Sequence, residues 1–434
     1  MLKKRFIIAF LQPQYIMDKV INNFKLTGVI ALFLWISFFA PIVNESCRFW
    51  FFVVLIIFLS VLLFIDRQLY KLIFSREEIP FWIFLAALMA GIVNAVESVT
   101  MYRHFWSYIF PIPFLYFFAK ITFKIQNTKY ILRVVCFMAF VLCLYGIIEF
   151  STRNNIIYEK YLTSLYYETY KGIRMMSIHM HPISFGTYLL AIFPLAYVLF
   201  LKEEKRFFKI AAFIYAVTIA VCIILVFSRG ALIGLLTSVF IMTSFFIRRK
   251  KIVFILWLIL FCIFLVWVSS VLLGYNNFAF WRYSLRYLSS WEVYLRKIIR
   301  FSALEAILKD HLFFGIGFGH YRVLFDHYLP AIANITEYDQ KIADCMYITI
   351  LAEAGIVGLG GFLIFIFSIL KRSCLKLKAN LTRDNRLLLI GFLSGLAGIM
   401  CTFLTYDTLY WIVPSYIFWS YTGILSLLSA KKCL

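Results

Sequence analysis

Residues 210–247 form one apolar run with a single charged residue, Arg229, in the stretch Val226-Phe227-Ser228-Arg229-Gly230-Ala231-Leu232. An arginine at a bilayer centre costs about 2.5–3.5 kcal/mol on insertion scales, so an isolated one marks a functional position by default. The run is too long for one span of roughly 20 residues and suits two. Ser228-Arg229-Gly230 then forms the hairpin between them, which moves Arg229 to a membrane interface. Ser228 is a suitable N-cap for the second helix, and Gly230 relieves crowding in the tight turn. The unsatisfied amides of that helix point where the guanidinium points, and together they make an anion site. The competing reading is an arginine that snorkels to the headgroups and binds nothing in particular.

The other residues able to do chemistry gather in two long connections, 151–180 and 275–344. The second opens with a segment in which Trp291, Leu295, Ile298, Ile299 and Ala306 recur at helical spacing while Arg296 and Arg300 sit four apart on another face. Such a helix lies along a membrane interface; a solvated charged face is the plain alternative. Glu292, Glu305, Asp310, Asp326, Glu337, Asp339 and Asp344 balance the basic residues of this loop, so net charge does not identify an anionic ligand. His179, His181, His311 and His320 are acid/base candidates, against the usual structural role of a single histidine. The cluster Gly315-Ile316-Gly317-Phe318-Gly319-His320-Tyr321 lacks the strand-to-helix context of a phosphate loop, so a nucleotide site is not expected. The nine cysteines show no CxxC and no Cys/His pairing at ligand spacing, so neither a metal site nor a disulfide framework is expected. A Cys47–Cys345 bond is one pairing the topology permits.

The elements that must position these residues are membrane helices. Hydrophobic residues make up 63% of the chain and charged ones 15%, with a mean hydropathy of +0.89, which excludes a soluble globular domain. The expected fold is an all-α polytopic membrane protein of about twelve transmembrane helices, near 24–43, 49–65, 79–95, 104–120, 131–150, 183–201, 210–227, 231–247, 252–274, 345–370, 387–406 and 409–430. No ten-residue alternation suggests an outer-membrane barrel. No cleavable signal peptide is expected, because the polar start leads into a run long enough to span. Most of the 43 lysines and arginines fall up to and including Lys25, in 66–78, 120–133, 202–209, 248–251 and 371–386, and at the C-terminus. The positive-inside rule makes these short connections, and both termini, cytoplasmic. The net charge of +22 is then mainly a topology signal dispersed over short loops, and nucleic-acid binding is not expected. The organisation expected is N-terminal helices over 1–150, an extracytoplasmic loop over 151–182, helices over 183–274 that include the Arg229 hairpin, a large extracytoplasmic loop with its amphipathic helix over 275–344, and C-terminal helices over 345–434.

Three segments together carry a resemblance. Arg174-Met175-Met176-Ser177-Ile178-His179-Met180-His181-Pro182 precedes a span, Phe227 to Leu235 holds the hairpin, and Arg300 leads through Asp310 to Gly319 towards Asp344-Cys345-Met346-Tyr347 and Leu351 to Gly358. Their order and spacing resemble the bacterial O-antigen ligase and polymerase superfamily, best from about 174 to 370. The resemblance implies a glycosyltransferase of the bacterial inner membrane that works on the outer side. Its donor would be a glycan on undecaprenyl pyrophosphate and its acceptor a sugar hydroxyl on a glycan or lipid. No cofactor or metal is implied; membrane lipids and a chain-length regulator or flippase are the partner classes. Arg229 falls on the family's hairpin arginine, Arg300 (or Arg296) on the loop arginine, and Arg174 on the position before the His-Pro segment. Ser228, Gly230, His181 and His320 complete the substrate-binding set. Ligases of the family carry a histidine where this chain has Asp344, which favours a polysaccharide polymerase, for O-antigen, capsule or exopolysaccharide, over a ligase acting on lipid A-core. Asp344 is expected to accept the acceptor's proton, or to N-cap the 345–370 span, or both. A transporter or flippase of lipid-linked oligosaccharide also suits twelve spans with both termini inside, as does a non-catalytic binder of lipid-linked glycan. Against transport, the spans are nearly free of ionisable residues and no repeat is visible.

Overall fold

Apolar helices account for nearly all of the described chain, and no strand occurs among the described residues. The computed structural model describes residues 13–66, 69–95, 97–123, 127–161, 174–246, 291–325, 327–328, 342–379 and 381–430, with backbone alone for 13–20, 22, 160–161, 246 and 291–299. Eight helices there are long and apolar enough to cross a membrane: Glu45–Ile65, Tyr70–Asn94, Thr128–Thr152, Pro182–Lys202, Arg206–Leu225, Met346–Lys378, Arg383–Thr402 and Ile412–Ser429. Two shorter apolar helices are Asn23–Phe39 and Arg229–Phe245. The expected span 104–120 is a broken succession, Ser98–His104, a π-helical turn at Phe105–Ile109, then Pro111–Thr122 with proline at its start. The expected span 252–274 lies outside the described residues. The architecture is thus the all-α polytopic one read from hydropathy.

Burial sorts the helices into an inner and an outer set. Ile412–Ser429, Pro182–Lys202 and Arg383–Thr402 are mostly enclosed by protein, whereas Glu45–Ile65 and Arg206–Leu225 leave most of their apolar surface outward. In lipid, tails are as apolar as leucine, so helices associate through close packing of small residues rather than apolar burial. A stripe of this kind aligns the site-bearing helix. Gly230, Gly234 and Ser238 recur every fourth residue and meet Thr402, Gly398 and Ser394 of the antiparallel Arg383–Thr402 helix. A Cβ on Gly234 would lie 2.6 Å from the Gly398 carbonyl oxygen, and the Ser238 hydroxyl donates to the Ser394 carbonyl at 2.9 Å.

Met346–Lys378 has 33 residues, about 50 Å at 1.5 Å per residue, which exceeds the roughly 30 Å apolar core. It breaks at Gly355, with φ 66° and ψ −169°. A break frees backbone groups that lipid cannot satisfy. The glycine segment supplies them: Ile316 and Gly317 N–H donate to the Ala352 and Glu353 carbonyls, while Ile356 and Val357 N–H donate to Leu312 and Phe313. Close approach requires the glycines, because a Cβ on Gly315 would lie 2.3 Å from Glu353 backbone and one on Gly355 2.2 Å from the Phe313 oxygen. The cluster that superficially resembled a phosphate loop is a backbone splint for a kinked helix.

The basic connections meet at one end of the bundle, where ion pairs join them. Arg133 forks onto Glu203 at 2.6 and 2.8 Å, Lys202 reaches Asp384 at 3.2 Å, and Arg372 reaches Glu77 at 3.0 Å. Glu78 is wholly buried there and takes Lys120 at 2.7 Å, the Ser426 hydroxyl at 2.8 Å and the Tyr116 hydroxyl. A buried carboxylate persists only with such partners.

Candidate active site

At the hairpin the chain leaves Arg206–Leu225 through Val226, turns at Phe227 with φ 50°, and re-enters a helix at Arg229. The left-handed residue is therefore Phe227, not Gly230. Gly230 is needed for a different reason: a Cβ there would lie 2.2 Å from the Thr405 hydroxyl oxygen. Ser228 is buried; its carbonyl accepts from Leu232 at 3.0 Å and its hydroxyl from Ala231 N–H at a long 3.4 Å, as an N-cap does. Arg229 is exposed and makes no ion pair or side-chain hydrogen bond among the described residues. An accessible guanidinium thus stands at the amide end of an 18-residue helix.

Arg229 lies within electrostatic range of Asp344, and Asp344 Oδ2 holds Arg300 Nη2 at 2.5 Å. Arg300 is buried near the middle of the Trp291–Asp310 helix, the amphipathic element read from sequence. Arg296 is on the same helix, but its side chain lies outside the described residues. Asp344 does not cap Met346–Lys378: the N-cap is Cys345, without a side-chain cap bond. Asp344 instead adopts φ 50°, a conformation aspartate tolerates, and it lies within electrostatic range of the Asp407 carboxylate. One residue therefore bears on both a guanidinium and a second carboxylate.

Two buried glutamates tie the loops to the helices. Glu149 accepts from Ser177 N–H at 2.6 Å and Met176 N–H at 3.2 Å, which fixes the 174–181 loop. Within that loop Arg174 Nε donates to the Val226 carbonyl at 3.0 Å, placing it against the hairpin. His181 is the N-cap of Pro182–Lys202, its Nδ1 accepting from Ile183 N–H at 3.1 Å, and its ring stacks on Tyr406 and packs against Trp411. Glu353 accepts from Tyr321 N–H at 3.1 Å and from the Tyr410 hydroxyl, which itself accepts from Gly319 N–H at 2.9 Å. His320 is fully buried, with Nε2 accepting from Glu97 N–H at 3.2 Å and Nδ1 3.1 Å from the Phe318 carbonyl. Both nitrogens hold backbone, so His320 stands apart from the arginine cluster.

Beside the cluster is a cavity of about 390 Å³ whose walls include His179, Asp407, Tyr406, Trp411, Glu353 and Thr349. Burial, and secondarily the nearby Asp344 charge, pushes the Asp407 carboxyl up to about 6 against the pull of the 2.6 Å bond from Thr349. Burial holds His179 down to about 3, and burial with Arg174 holds His181 well below the ordinary value, so both imidazoles are neutral at working pH. The thiols of Cys47 and Cys345 are free, so the disulfide that topology permitted is not formed. No group of three or more metal-ligating side chains occurs among the described residues.

Of the residues singled out from sequence, the structure brings Arg229, Arg300 and Asp344 together and places Arg174 and His181 at the edge of the same region. Sequence reading missed Asp407, in the short connection left between the expected spans 387–406 and 409–430, and Tyr406, Tyr410 and Trp411 at the facing ends of those spans. The signal was a lone aspartate between aromatic residues, Tyr406-Asp407-Thr408-Leu409-Tyr410-Trp411.

None of the curated proteins matches the chain. Residues 214–363 match the O-antigen ligase family. That stretch runs from within the helix before the Arg229 hairpin to beyond the Gly355 break, carries Arg229, Arg300, Asp344 and Glu353, and over it the chain is similar to the O-antigen ligase family.

Proposed function

We propose that the protein transfers a glycan from undecaprenyl pyrophosphate to a sugar hydroxyl at the outer face of the bacterial plasma membrane, and that it does so as a polysaccharide polymerase. The observation that carries this reading is the accessible Arg229 at a helix N-terminus beside the Arg300–Asp344 pair. In the transfer the anomeric carbon–oxygen bond to the pyrophosphate breaks, and its electron pair leaves with the pyrophosphate oxygen. The acceptor oxygen forms the new glycosidic bond and gives up its proton. Negative charge grows on the leaving group, and preorganised guanidinium groups with helix amides stabilise it where it grows. Their planar forks match the oxygens of a phosphate.

The family description favours a second reading, a ligase whose acceptor is a lipid-borne sugar. Asp344 in place of the ligase histidine favours the polymerase. Gene deletion separates them through the glycan product. A single lipid-linked repeat unit at the outer face is expected for a polymerase, unattached long chains for a ligase, and repeat units trapped on the cytoplasmic side for a flippase. In complementation, Arg229→Ala should behave as the deletion does; normal glycan at equal protein abundance would reject the assignment of Arg229 to the donor.

A further inference from the structure

Asp344 faces two ways. Its carboxylate is taken by Arg300, and it lies within electrostatic range of Asp407. Asp407 stands in the wall of the adjacent cavity with Thr349 Oγ1 donating to its Oδ1 at 2.6 Å. A carboxylate has about four acceptor sites, so the Thr349 bond leaves it capacity for another hydroxyl. His179 lines the same cavity, is 1% exposed, and has no hydrogen-bond partner at either ring nitrogen among the described residues. An unpaired buried imidazole costs free energy unless a ligand completes it. Tyr406 and Trp411 supply an aromatic wall, their rings 5.9 Å apart and near parallel, backed by His181 at 5.3 and 4.6 Å. A volume near 390 Å³ is within the range of small-molecule pockets.

The geometry points to this cavity as the site of the acceptor sugar: its ring lies against the Tyr406–Trp411 wall, one hydroxyl completes His179, and the attacking hydroxyl gives its proton to Asp407. The inference rests on the donor assignment above and assigns the proton acceptor to Asp407 rather than to Asp344. The acceptor O–H breaks, the proton goes to an Asp407 oxygen, and the freed oxygen pair forms the bond to the donor's anomeric carbon. The donor's carbon–oxygen pair leaves with the pyrophosphate beside Arg229 and Arg300, and Asp407 later returns its proton to water. Burial holds Asp407 basic enough for this role near neutral pH. The neighbouring Asp344 is engaged in orienting a guanidinium.

The test uses full-length protein in two assays. Undecaprenyl pyrophosphate is the probe of the donor site, with binding followed by native mass spectrometry in detergent. Transfer is followed in membrane vesicles that carry the cell's own lipid-linked glycan. Asp407→Asn should keep undecaprenyl pyrophosphate binding within about twofold and lower transfer at least a hundredfold. Transfer at the parent rate would overturn the proposal, and so would loss of undecaprenyl pyrophosphate binding, which would put Asp407 in the donor site. Should Asp407→Asn not accumulate, His179→Phe fills the same wall without a polar atom. It should keep donor binding and raise the acceptor concentration needed for half-maximal transfer at least tenfold; an unchanged requirement would reject the acceptor site. Arg229→Ala gives the opposite pattern, loss of undecaprenyl pyrophosphate binding. Retention of binding in that variant would refute the donor assignment independently of Asp407.

Discussion

Asp344→Asn separates orientation from proton transfer, because asparagine keeps the shape and tolerates the left-handed backbone that Asp344 adopts at φ 50°. What changes is the bond to Arg300, now 2.5 Å between charged groups. Arg300 stays charged, so its bond to asparagine is still charge-assisted, and what is lost is the attraction between opposite charges, about 1–1.5 kcal/mol. Asp344 is 32% exposed, and solvent screening puts the effect at the low end. Transfer should fall about 5–10-fold through a less well held Arg300, far short of the roughly 10²–10⁴-fold for loss of a general base. Arg300→Ala should cost more, and the double variant no more than Arg300→Ala alone, since a residue acting only through its partner has nothing left to lose. The assay is initial-rate glycan extension in membrane vesicles, normalised to protein abundance. A fall beyond a hundredfold in Asp344→Asn, multiplied by the Arg300→Ala effect in the double variant, would refute the orienting role.

Transfer should lose rate as pH falls through about 6, because Asp407 must be unprotonated to take a proton and burial has raised it there; Asp344, Arg300, Glu353, Tyr410 and Thr349 face it, and neutral His179 adds no limb in this range. A rate–pH profile flat down to about 4.5 would contradict this. Arg229→Lys keeps the charge and loses the planar fork, so it should be impaired but less than Arg229→Ala, which should raise the barrier by about 2–4 kcal/mol, read from the same initial rates. Gly234→Leu should lower stability by about 1–3 kcal/mol, seen as reduced thermal midpoint in detergent, because its side chain meets the Gly398 backbone; an unchanged midpoint would show that the helices part freely there. In a cysteine-free background, Lys160→Cys and Pro330→Cys should be labelled from outside by an impermeant reagent and Lys205→Cys should not; labelling of position 205 alone would invert the orientation.

Composition and the length of apolar runs were enough to determine an all-α membrane fold, since helices are the only open way to satisfy backbone in lipid. Local chemistry was enough to mark Arg229, because a lone charge in an apolar run is costly wherever it ends up. The spacing of Trp291, Leu295 and Ile298 likewise sufficed for a helix at Trp291–Asp310 and put Arg300 on it. What tertiary structure alone decided is what each charge faces. Asp344 reads as a helix cap from its neighbours in sequence, yet it meets Arg300 more than forty positions away. The Gly315–Gly319 cluster lacks the context of a phosphate loop and has no other role legible in sequence, yet its amides meet the carbonyls freed by a break at Gly355 that hydropathy cannot register. Asp407 stood in a two-residue connection between two expected spans, and only the packing of Tyr406, Trp411 and Thr349 around it made a wall. Hydrophobicity is a sum over a segment and survives averaging; a site is a set of distances between segments, and no property of one segment contains them.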